Sequence, residues 1–317
     1  MNAVKKDIGV MQGYALDLAF GKSENDFECK IARDAHCCEE GYFLYYENSE
    51  YGGMIDDIGV DTDAEEVTYY GRTWHGILNS KILEPDTGED YLILTGEANA
   101  ILGVLIERMG LESLFTASKE DSKIMISKYK MNRYISGYDG IRKMLKEFAG
   151  KLNCVFRDGF VELSASFVVD YSKDEQFDTD QIGFKIKKKG NPLNHVVCLG
   201  KGDLAEREVL HVYADANGNI CEEQSITGIN EVAAVYDYPS AESSEELKRG
   251  GIDKIITSWN SDEVNFDFVS DKEKYDIGDI VGAIEDVTGV EVSREITKKI
   301  VTIQNNVTTI SYEVGDK

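Results

Sequence analysis

One stretch of the sequence constrains the fold more than any other, because the hydrophobic period changes within it. Residues Tyr69–Thr95 hold two β-rich segments on either side of a Pro-Asp-x-Gly turn. The run GEANAILGVLIERMG follows directly, and its apolar residues recur at the i, i+3, i+4, i+7, i+8 spacing of an amphipathic helix. The sequence therefore predicts a direct β-to-α junction at Gly96–Ala98. The apolar stripe is Ala98, Ile101, Leu102, Leu105 and Ile106, and the polar positions are Glu97, Asn99 and Glu107.

The residues before this junction have the alternation of strands. The segments Gly13–Phe20, Asp26–Ala32, Gly41–Glu47, Gly53–Ile58, Thr68–Leu83 and Tyr91–Thr95 are separated by clusters of Gly, Asn and Ser. Short strands at this spacing predict a small closed or half-closed barrel over residues 1–95.

The middle of the chain, residues 96–181, has a mixed pattern that predicts an α/β insertion. After the helix at about Gly96–Met109 comes a polar strand, KIMISKYKM. A second helix starts at Ser136–Asp139, which has capping-box spacing, and Gly150 is the predicted stop. Its predicted stripe is Ile141, Met144, Leu145 and Phe148. The Asp158-Gly159 pair in CVFRDGFVELSAS predicts a hairpin.

Residues 182–317 return to the β pattern, interrupted by one helix at about 243–258. Strands are expected at Phe184–Lys188 and His195–Leu199, and a hairpin at His211–Glu223 around Asn217-Gly218. The helix has Leu247, Ile252, Ile255, Ile256 and Trp259 on its apolar face. Four strands are expected in Lys274–Gly315, with turns at Thr288-Gly289 and Asn305-Asn306. The predicted fold class is α+β, mostly β, with two small β-barrel-like domains flanking the α/β insertion.

Composition excludes several classes of protein. The 317 residues carry a net charge of −25, which repels phosphate backbones and argues against direct nucleic-acid binding. The negative charge has two possible explanations, and the sequence does not decide between them. One is solubility alone, and the other is that the protein lines a channel through which DNA slides without binding.

No apolar run approaches the length of a membrane span, and MNAVKKDIGVMQGY lacks the apolar region of a signal peptide. A protein made in the cytoplasm is therefore expected.

Residues with catalytic or metal-binding chemistry form no recognisable constellation, so no catalytic, cofactor or metal residues are predicted. His75 is read as a strand residue with a packing or surface role, and His195 and His211 as similar strand residues. Gly200-Lys201-Gly202 lacks the flanking residues of a phosphate-binding P-loop. No G-x-S-x-G motif is present. A triad assembled only in space stays open at this stage.

Two acidic segments invite comparison with calcium sites. In Asp215-Ala-Asn217-Gly-Asn219 the glycine is at position four instead of six, and Ile226 occupies position twelve, so a hairpin turn is the better interpretation. Asp56–Glu66 holds six acidic residues and is interpreted as a solvated edge, with a cation-binding loop as the alternative.

The six cysteines show no C-x-x-C spacing, which argues against a zinc site. All are expected to be buried reduced thiols, as suits a protein folded in the cytosol. They are Cys29, Cys37, Cys38, Cys154, Cys198 and Cys221.

Three segments together resemble phage tail hub proteins, as found in Gram-positive phages and phage-tail-like bacteriocins. They are YYGRTWHGILNSKILEP…GEANAILGVLIE, NPLNHVVCLGKGDLAEREVLHVYAD and YDIGDIVGAIEDVTGVEVSREITKKIVTIQNNVTTISYEVGD. The family is similar to the hub part of type VI secretion spike proteins. The resemblance implies a subunit of two small barrels and an α/β insertion, three copies of which form a ring that mimics the six-fold tail tube.

The same resemblance implies a structural role and a set of partners. The implied function is a baseplate hub that trimerises to cap the tube and connects it to the spike or tail tip, in a virion or tail-like particle assembled in the host cytoplasm. The implied partners are the chain itself, the tube protein, the spike or tail-tip protein, and tape-measure and LysM-type adaptor proteins. No cofactor and no membrane insertion are implied. The chain stops just after its final strand, which argues against an added receptor-binding or lytic domain.

Two other classes of function remain as alternatives. A tail-associated enzyme that cleaves peptidoglycan or glycans requires a pair of carboxylates, and 59 acidic residues make any chosen pair uninformative. A monomeric ligand-binding β-protein is the other alternative, and oligomer mass separates it from the hub.

Overall fold

The computed structural model describes residues 1–173, 176–177, 184–187, 191–241, 243–259, 263–270, 274–285, 290–305 and 307–315. The helices are α1 Trp74–Asn79, α2 Ala98–Arg108, α3 Gly137–Glu147 and α4 Ser244–Trp259. The strands are β1 Ala15–Gly21, β2 Asp26–Ala32, β3 Phe43–Tyr45, β4 Gly52–Asp61, β5 Glu66–Thr73, β6 Ile82–Leu83, β7 Leu92–Glu97, β8 Phe115–Ala117, β9 Met125–Met131, β10 Ile135–Ser136, β11 Gly150–Arg157, β12 Phe160–Phe167, β13 Gln176–Phe177, β14 Phe184–Lys187, β15 His195–Leu199, β16 Val209–Ala214, β17 Ile220–Cys221, β18 Ala233–Asp237, β19 Glu263–Ser270, β20 Ile280–Glu285, β21 Val290–Gln304 and β22 Val307–Gly315.

Two compact units divide the chain. The main unit comprises the described residues within 1–183 and 266–315, and the small unit those within 184–265. The α+β, mostly β class predicted from the sequence is confirmed. The division into 1–95, 96–181 and 182–317 stays a prediction.

A large sheet joins the two ends of the main unit. Its strand order is β19-β22-β21-β1-β2-β5-β4-β3, with β20 and β13 beside β21. The central step is an antiparallel pairing of β1 with β21, from Ala15 opposite Gln304 to Gly21 opposite Lys298. Strands from the first and last predicted β regions therefore form one continuous sheet. Its described order is open, so the two barrel-like domains stay a prediction.

The middle of the main unit is built on α2, α3 and three small β ladders. The predicted stripe of α2 is buried throughout, with Ala98, Leu102 and Leu105 fully enclosed. Glu97 caps α2, since its side chain accepts a hydrogen bond from the backbone of Ala100 at 2.9 Å. The β-to-α junction predicted at Gly96–Ala98 is thereby confirmed. The ladders are β11-β12-β8, β7-β9 and β10-β6.

The second predicted helix is confirmed at its start and corrected at its end. Ser136 caps α3 by accepting from the backbone of Asp139 at 3.3 Å. The left-handed residue after the helix is Ala149, with φ 55°, instead of Gly150. Gly150 begins β11, where a Cβ would lie 2.9 Å from Ile124 Cδ1 and 3.2 Å from Leu145 O, so a larger residue would force the Ile124 side chain to shift.

Two other strand predictions are wrong in detail. Thr68–Leu83 is not one strand but β5, α1 and β6, because Thr73 caps a helical turn by accepting from the backbone of Gly76 at 3.4 Å. Within the described part of 274–315 there are three strands instead of four, since β21 runs through an irregularity between Ile296 and Lys298. The predicted turn Thr288-Gly289 and the residues Lys188 and Asn306 lie outside the described residues.

The small unit is one helix on a four-stranded sheet. The strand order is β17-β16-β15-β18, with β15 parallel to β18 and antiparallel to β16. Helix α4 buries Leu247 and Ile255 with Val196, Cys198 and Val212 of the sheet. Ile256, predicted on the apolar face, is 45% exposed. The sequence predicted β15, the β16–β17 hairpin and α4, but it predicted neither β18 nor the grouping of these elements into a unit of their own.

The Asp158-Gly159 turn gives a stability prediction. Both residues have positive φ, 51° and 80°, and they join Arg157 to its partner Phe160 in the β11–β12 hairpin. Because β-branched residues disfavour this conformation, Gly159→Val is expected to lower the free energy of unfolding by about 1–3 kcal/mol. Gly159→Asn, which tolerates positive φ, is the matched control. Equal thermal melts for the Val variant and the wild-type chain would contradict the turn assignment.

No helix in the described part of the chain has the length and apolar character that crossing a bilayer requires.

Candidate functional site

The first candidate from the sequence, His75, is a buried core residue. It lies in α1, not in a strand as predicted, and is 3% exposed. Its ring packs edge-on against Phe20 and Tyr138, with centroids 5.1 and 5.2 Å away. Burial, assisted by the charge of Lys299, lowers the pKa of His75 to about 3. The imidazole is therefore neutral near pH 7, and the predicted packing role is confirmed.

His75 gives the chain a defined pH dependence. The unfolded chain binds a proton at this residue below about pH 6.5, whereas the folded chain does not until about pH 3. Its stabilising contribution is therefore complete above pH 6.5 and is lost as the pH falls. Between pH 7 and pH 5 the loss is about 2 kcal/mol. In urea denaturation at both pH values, His75→Phe is expected to reduce the pH dependence by this amount. An unchanged pH dependence would show that His75 is protonated in the fold.

The small unit brings two other histidines together on its surface. His195 Nε2 lies 2.8 Å from His211 Nδ1, and His195 Nδ1 lies 2.7 Å from Glu231 Oε1. The hydrogen bond from His195 lowers the pKa of the Glu231 carboxyl. Among the described residues, no serine hydroxyl or cysteine thiol is hydrogen-bonded to either imidazole. Among the described residues, no group of three or more His, Cys, Asp or Glu is placed to hold a metal ion.

The two acidic segments have the structures that the sequence favoured. Asp215 accepts hydrogen bonds from the backbone of Asn217 at 2.8 Å and Asn219 at 3.0 Å, which closes the predicted hairpin turn. Residues 56–66 form the distal half of the β4–β5 hairpin, and Asp57 and residues 60–66 are exposed. Gly200-Lys201-Gly202 lies in the connection from β15 to β16.

The cysteine prediction is partly wrong. Cys29, Cys38, Cys154 and Cys198 are buried, but Cys37 is exposed and Cys221 is half-buried. Burial raises the pKa of the Cys29 thiol to about 12, and burial with the neighbouring thiol of Cys37 does the same for Cys38. The buried thiols are therefore protonated and unreactive near neutral pH.

A network of ion pairs in the main unit is centred on two buried lysines. Lys299, on β21, is 1% exposed, and its Nζ lies 2.5 Å from Glu50 Oε1 and 3.7 Å from Asp276 Oδ1. Lys151, on β11, contacts Asp276 at 3.1 Å and Asp279 at 2.8 Å. Asp276 thus lies between two lysines, and the network connects the first β region, the α/β middle and the last strands.

The electrostatics of this network keep its lysines charged. Burial alone would lower the pKa of Lys299, but the charges of Glu50 and Asp276 outweigh it and raise the pKa above the ordinary value. At Lys151 burial also acts to lower the pKa, but the charges of Asp276 and Asp279 and their hydrogen bonds outweigh it, so the pKa of Lys151 is raised. A lysine nucleophile or general base requires a lowered pKa. This network is therefore suited to holding elements together and not to covalent or acid–base chemistry.

This network was not predicted from the sequence, although two consecutive lysines in one strand are a signal of it. Lys298 and Lys299 are consecutive in a strand, and successive strand side chains point to opposite faces. One of the two lysines must therefore face inward if the sheet is covered. Their acidic partners lie far away in the chain and carry no such signal.

Comparisons with known proteins give matches of structure alone. No protein-family model matches the sequence, and no curated protein matches it. The 43 kDa tail protein of prophage MuSo2 from Shewanella oneidensis has a TM-score of 0.53 and 10% identity, covering 96% of this chain and 94% of its own. A prophage tail protein from Listeria monocytogenes EGD-e has a TM-score of 0.53 and 9% identity, covering 98% and 91%.

A third solved structure, the tail protein from Neisseria meningitidis MC58, has a TM-score of 0.48 and 12% identity over 95% of this chain and 91% of its own. At such identities the two matches above 0.5 establish the fold and nothing finer. The resemblance to tail proteins inferred from sequence motifs is thereby confirmed at the level of structure. The chain has the fold of these prophage tail proteins along almost its whole length.

Proposed function

We propose that this chain is a structural hub of a phage tail or phage-tail-like particle. In this role it trimerises, caps the end of the tail tube and connects the tube to the spike or tail tip. The observation that carries the proposal is the fold shared with two prophage tail proteins over more than nine-tenths of both chains. The buried lysine network, which is held charged, supports an architectural role over a chemical one.

The proposed ring follows from matching symmetries. A six-fold tube meets a three-copy ring when each copy supplies two similar surfaces. The predicted barrels at the two ends of the chain are the candidates for these surfaces. A net charge of −25 makes each copy repel the next, so burial of apolar and aromatic surface must exceed that repulsion. At physiological salt the Debye length is about 8 Å, which weakens the long-range part of it.

Further proposed partners follow from this role. They are the tube protein, the spike or tail-tip protein, and tape-measure and LysM-type adaptor proteins, in a particle assembled in the host cytoplasm. Direct nucleic-acid binding and membrane insertion are not part of the proposal.

The mass of the assembled chain tests the proposal. We expect a trimer by light scattering, either for the chain alone or after mixing with its tube or spike partner. A stable one-to-one complex with a single tube subunit would rule out the ring. Co-purification with the complete tail, followed by counting copies per particle, tests the location independently.

The alternative is a tail-associated enzyme that cleaves peptidoglycan or glycans. The surface pair His195–Glu231 is the arrangement in the described residues that most resembles a general base with its orienting carboxylate. We expect no turnover of cell-wall material or simple glycans, with or without divalent metal. Turnover by the purified chain that disappears in a Glu231→Gln variant would favour the enzyme.

A further inference from the structure

Two paired strands in the main unit, β7 and β9, present exposed lysines in a chain of net charge −25. Among the described strands, β7 and β9 pair only with each other. The two strands hold two lysines, Lys128 and Lys130, and one carboxylate, Glu97, which accepts hydrogen bonds from the backbones of Ala100 and Ser122. Lys128 and Lys130 are exposed and have no acidic partner among the described ion pairs. We call β7 and β9 the basic ribbon.

Exposed apolar side chains lie on the same face of the basic ribbon. Ile93 is 57% exposed and Met125 64%, while Leu92, Leu94 and Ile126 point into the core. Ile93 is directly opposite Lys130, whose Nζ lies 5.6 Å from the centre of the Tyr91 ring. A mixture of exposed apolar and charged groups on an unpaired sheet face is typical of a binding surface.

The backbone of the basic ribbon is irregular at Lys128. The pairing register shifts between Leu94 and Gly96, and Lys128 adopts a φ of 50°. The Lys128 backbone N–H donates to Thr95 Oγ1 at 3.1 Å. Bulges of this kind redirect a side chain, and a lysine in the left-handed region is held there at a cost. The irregularity therefore positions Lys128 on the exposed side.

A surface of opposite charge lies on the large sheet. Asp17 on β1 is directly opposite Glu28 on β2, Glu28 is opposite Tyr70 on β5, and Tyr70 is opposite Asp57 on β4. Asp17 and Asp57 are exposed, and Tyr70 is 42% exposed. We call these four residues the acidic row. It crosses four adjacent strands, a distance of about 14 Å at the usual strand spacing.

The acidic row is not optimised for the stability of the isolated chain. Like charges directly opposite each other destabilise a strand pair, and Asp17 faces Glu28 in this way. Burial, together with repulsion from Glu28 and Asp26, raises the pKa of the Asp17 carboxyl. Lys30, which pairs with Glu28 at 2.6 Å, offsets only part of this charge. A local conflict of this type is expected where a partner supplies the missing countercharge.

We propose that the acidic row of one copy of this chain docks on the basic ribbon of a second copy. Lys128 and Lys130 then face the carboxylates of the acidic row, and Tyr70 packs against Ile93 and Met125. Tyrosine at the centre of a contact with charges around it is the usual arrangement of an interface hot spot. The occupant is this chain itself because it carries both complementary surfaces.

The contact joins two different surfaces, so it is head-to-tail and generates a ring when the rotation closes. The inference rests on the proposed trimer and adds the surfaces that form it. The attraction between the two surfaces acts at contact distance, where salt screens it only weakly. The general repulsion between acidic copies acts over longer distances, so salt screens it more strongly.

Neutralising variants of each surface test the contact. The ribbon variant is Lys128→Asn with Lys130→Gln, and the row variant is Asp17→Asn with Asp57→Asn. Sedimentation velocity over a concentration series is expected to show a trimeric wild-type chain and about a tenfold or greater weakening of association in each variant. The melting temperature of the row variant is expected to be no lower than that of the wild-type chain, when both are measured at a dilution at which the wild-type chain is monomeric. The reason is that the substitutions remove the repulsion between Asp17 and Glu28. A residue with only a structural role would not give this combination.

Mixing the two variants gives the sharpest result. Each retains one working surface, so an equal mixture is expected to form a dimer and to stop there. The matched controls, Lys22→Gln with Lys143→Gln and Asp34→Asn with Glu112→Gln, change exposed charges elsewhere and are expected to leave the trimer intact. If the ribbon variant and the row variant are still trimers, the proposed contact is wrong, but the proposed three-copy ring is not affected. A wild-type chain that stays monomeric at every concentration overturns the inference, and the proposed function then depends on a ring formed with tube or spike.

Discussion

Replacing Lys299 by methionine is expected to lower the free energy of unfolding of the main unit by about 3–5 kcal/mol. The methionine side chain fills a similar volume, but it leaves the half-buried carboxylate of Glu50 and part of the charge of Asp276 without their cation. Removing one partner of a buried pair costs more than the pair contributes, because the remaining charge stays desolvated. Urea denaturation followed by the fluorescence of Trp74, in a Trp259→Phe background, measures the effect.

Two comparisons isolate the cause of the Lys299 effect. Lys123 is 73% exposed and paired with Asp121, so changing it to methionine is expected to lower the free energy of unfolding far less than the Lys299 change does. Combining Lys299→Met with Glu50→Gln is expected to recover part of the loss, since it removes one uncompensated charge. A Lys299 variant as stable as the Lys123 variant would mean that the network contributes nothing to the fold.

Replacing Trp74 by alanine is expected to cost about 3–5 kcal/mol. Trp74 is fully buried at the start of α1, and its ring stacks on Phe156 with centroids 5.4 Å apart and on Phe43 at 6.2 Å. A Cβ at Gly52 would lie 2.7 Å from the Trp74 ring, so glycine leaves the space that the indole occupies. The surroundings are strands and a helix from different regions, which limits how far the cavity can collapse.

Circular dichroism during thermal and urea denaturation tests the Trp74 prediction without relying on its fluorescence. Tyr134→Ala, at a residue 62% exposed, is the control and is expected to change stability by less than about 0.5 kcal/mol. Trp74→Phe is expected to give an intermediate loss because it keeps part of the ring contact. If Trp74→Ala and Tyr134→Ala unfold at the same denaturant concentration, the stacked rings are not a core of the main unit.

Sequence patterns predicted the elements whose signals are local. The period of Ala98, Leu102 and Leu105 identified α2, and the positive-φ pair at Asp158-Gly159 identified a hairpin. Helix α1 was missed because it has six residues, too few to show a helical period, and only the cap at Thr73 marks it. Asn99 was listed with the polar positions of α2 outside the apolar stripe, yet it is buried, where it donates to Glu120 O and accepts from the Ala165 N–H.

The pairing of strands that are distant in the sequence could not be predicted from local sequence patterns. Nothing in the alternation of β1 indicates that it lies between β2 and β21, because the period fixes which face is buried and not which strand is adjacent. The same limit explains why the small unit was not recognised, and why the opposed charges of Asp17 and Glu28 were not noticed. Such pairs become visible only when the register is known.

The pairing of β1 with β21 has a consequence for how the chain is made. Strand β1 leaves the ribosome early, but its partner between residues 298 and 304 follows some 280 residues later. At about 5–20 residues per second, that interval lasts roughly 15–60 s. During translation β1 must therefore wait with one hydrogen-bonding edge unsatisfied. A sheet completed by its last strands has high contact order and folds slowly, so nascent chains are expected to need protection by chaperones until synthesis is nearly finished.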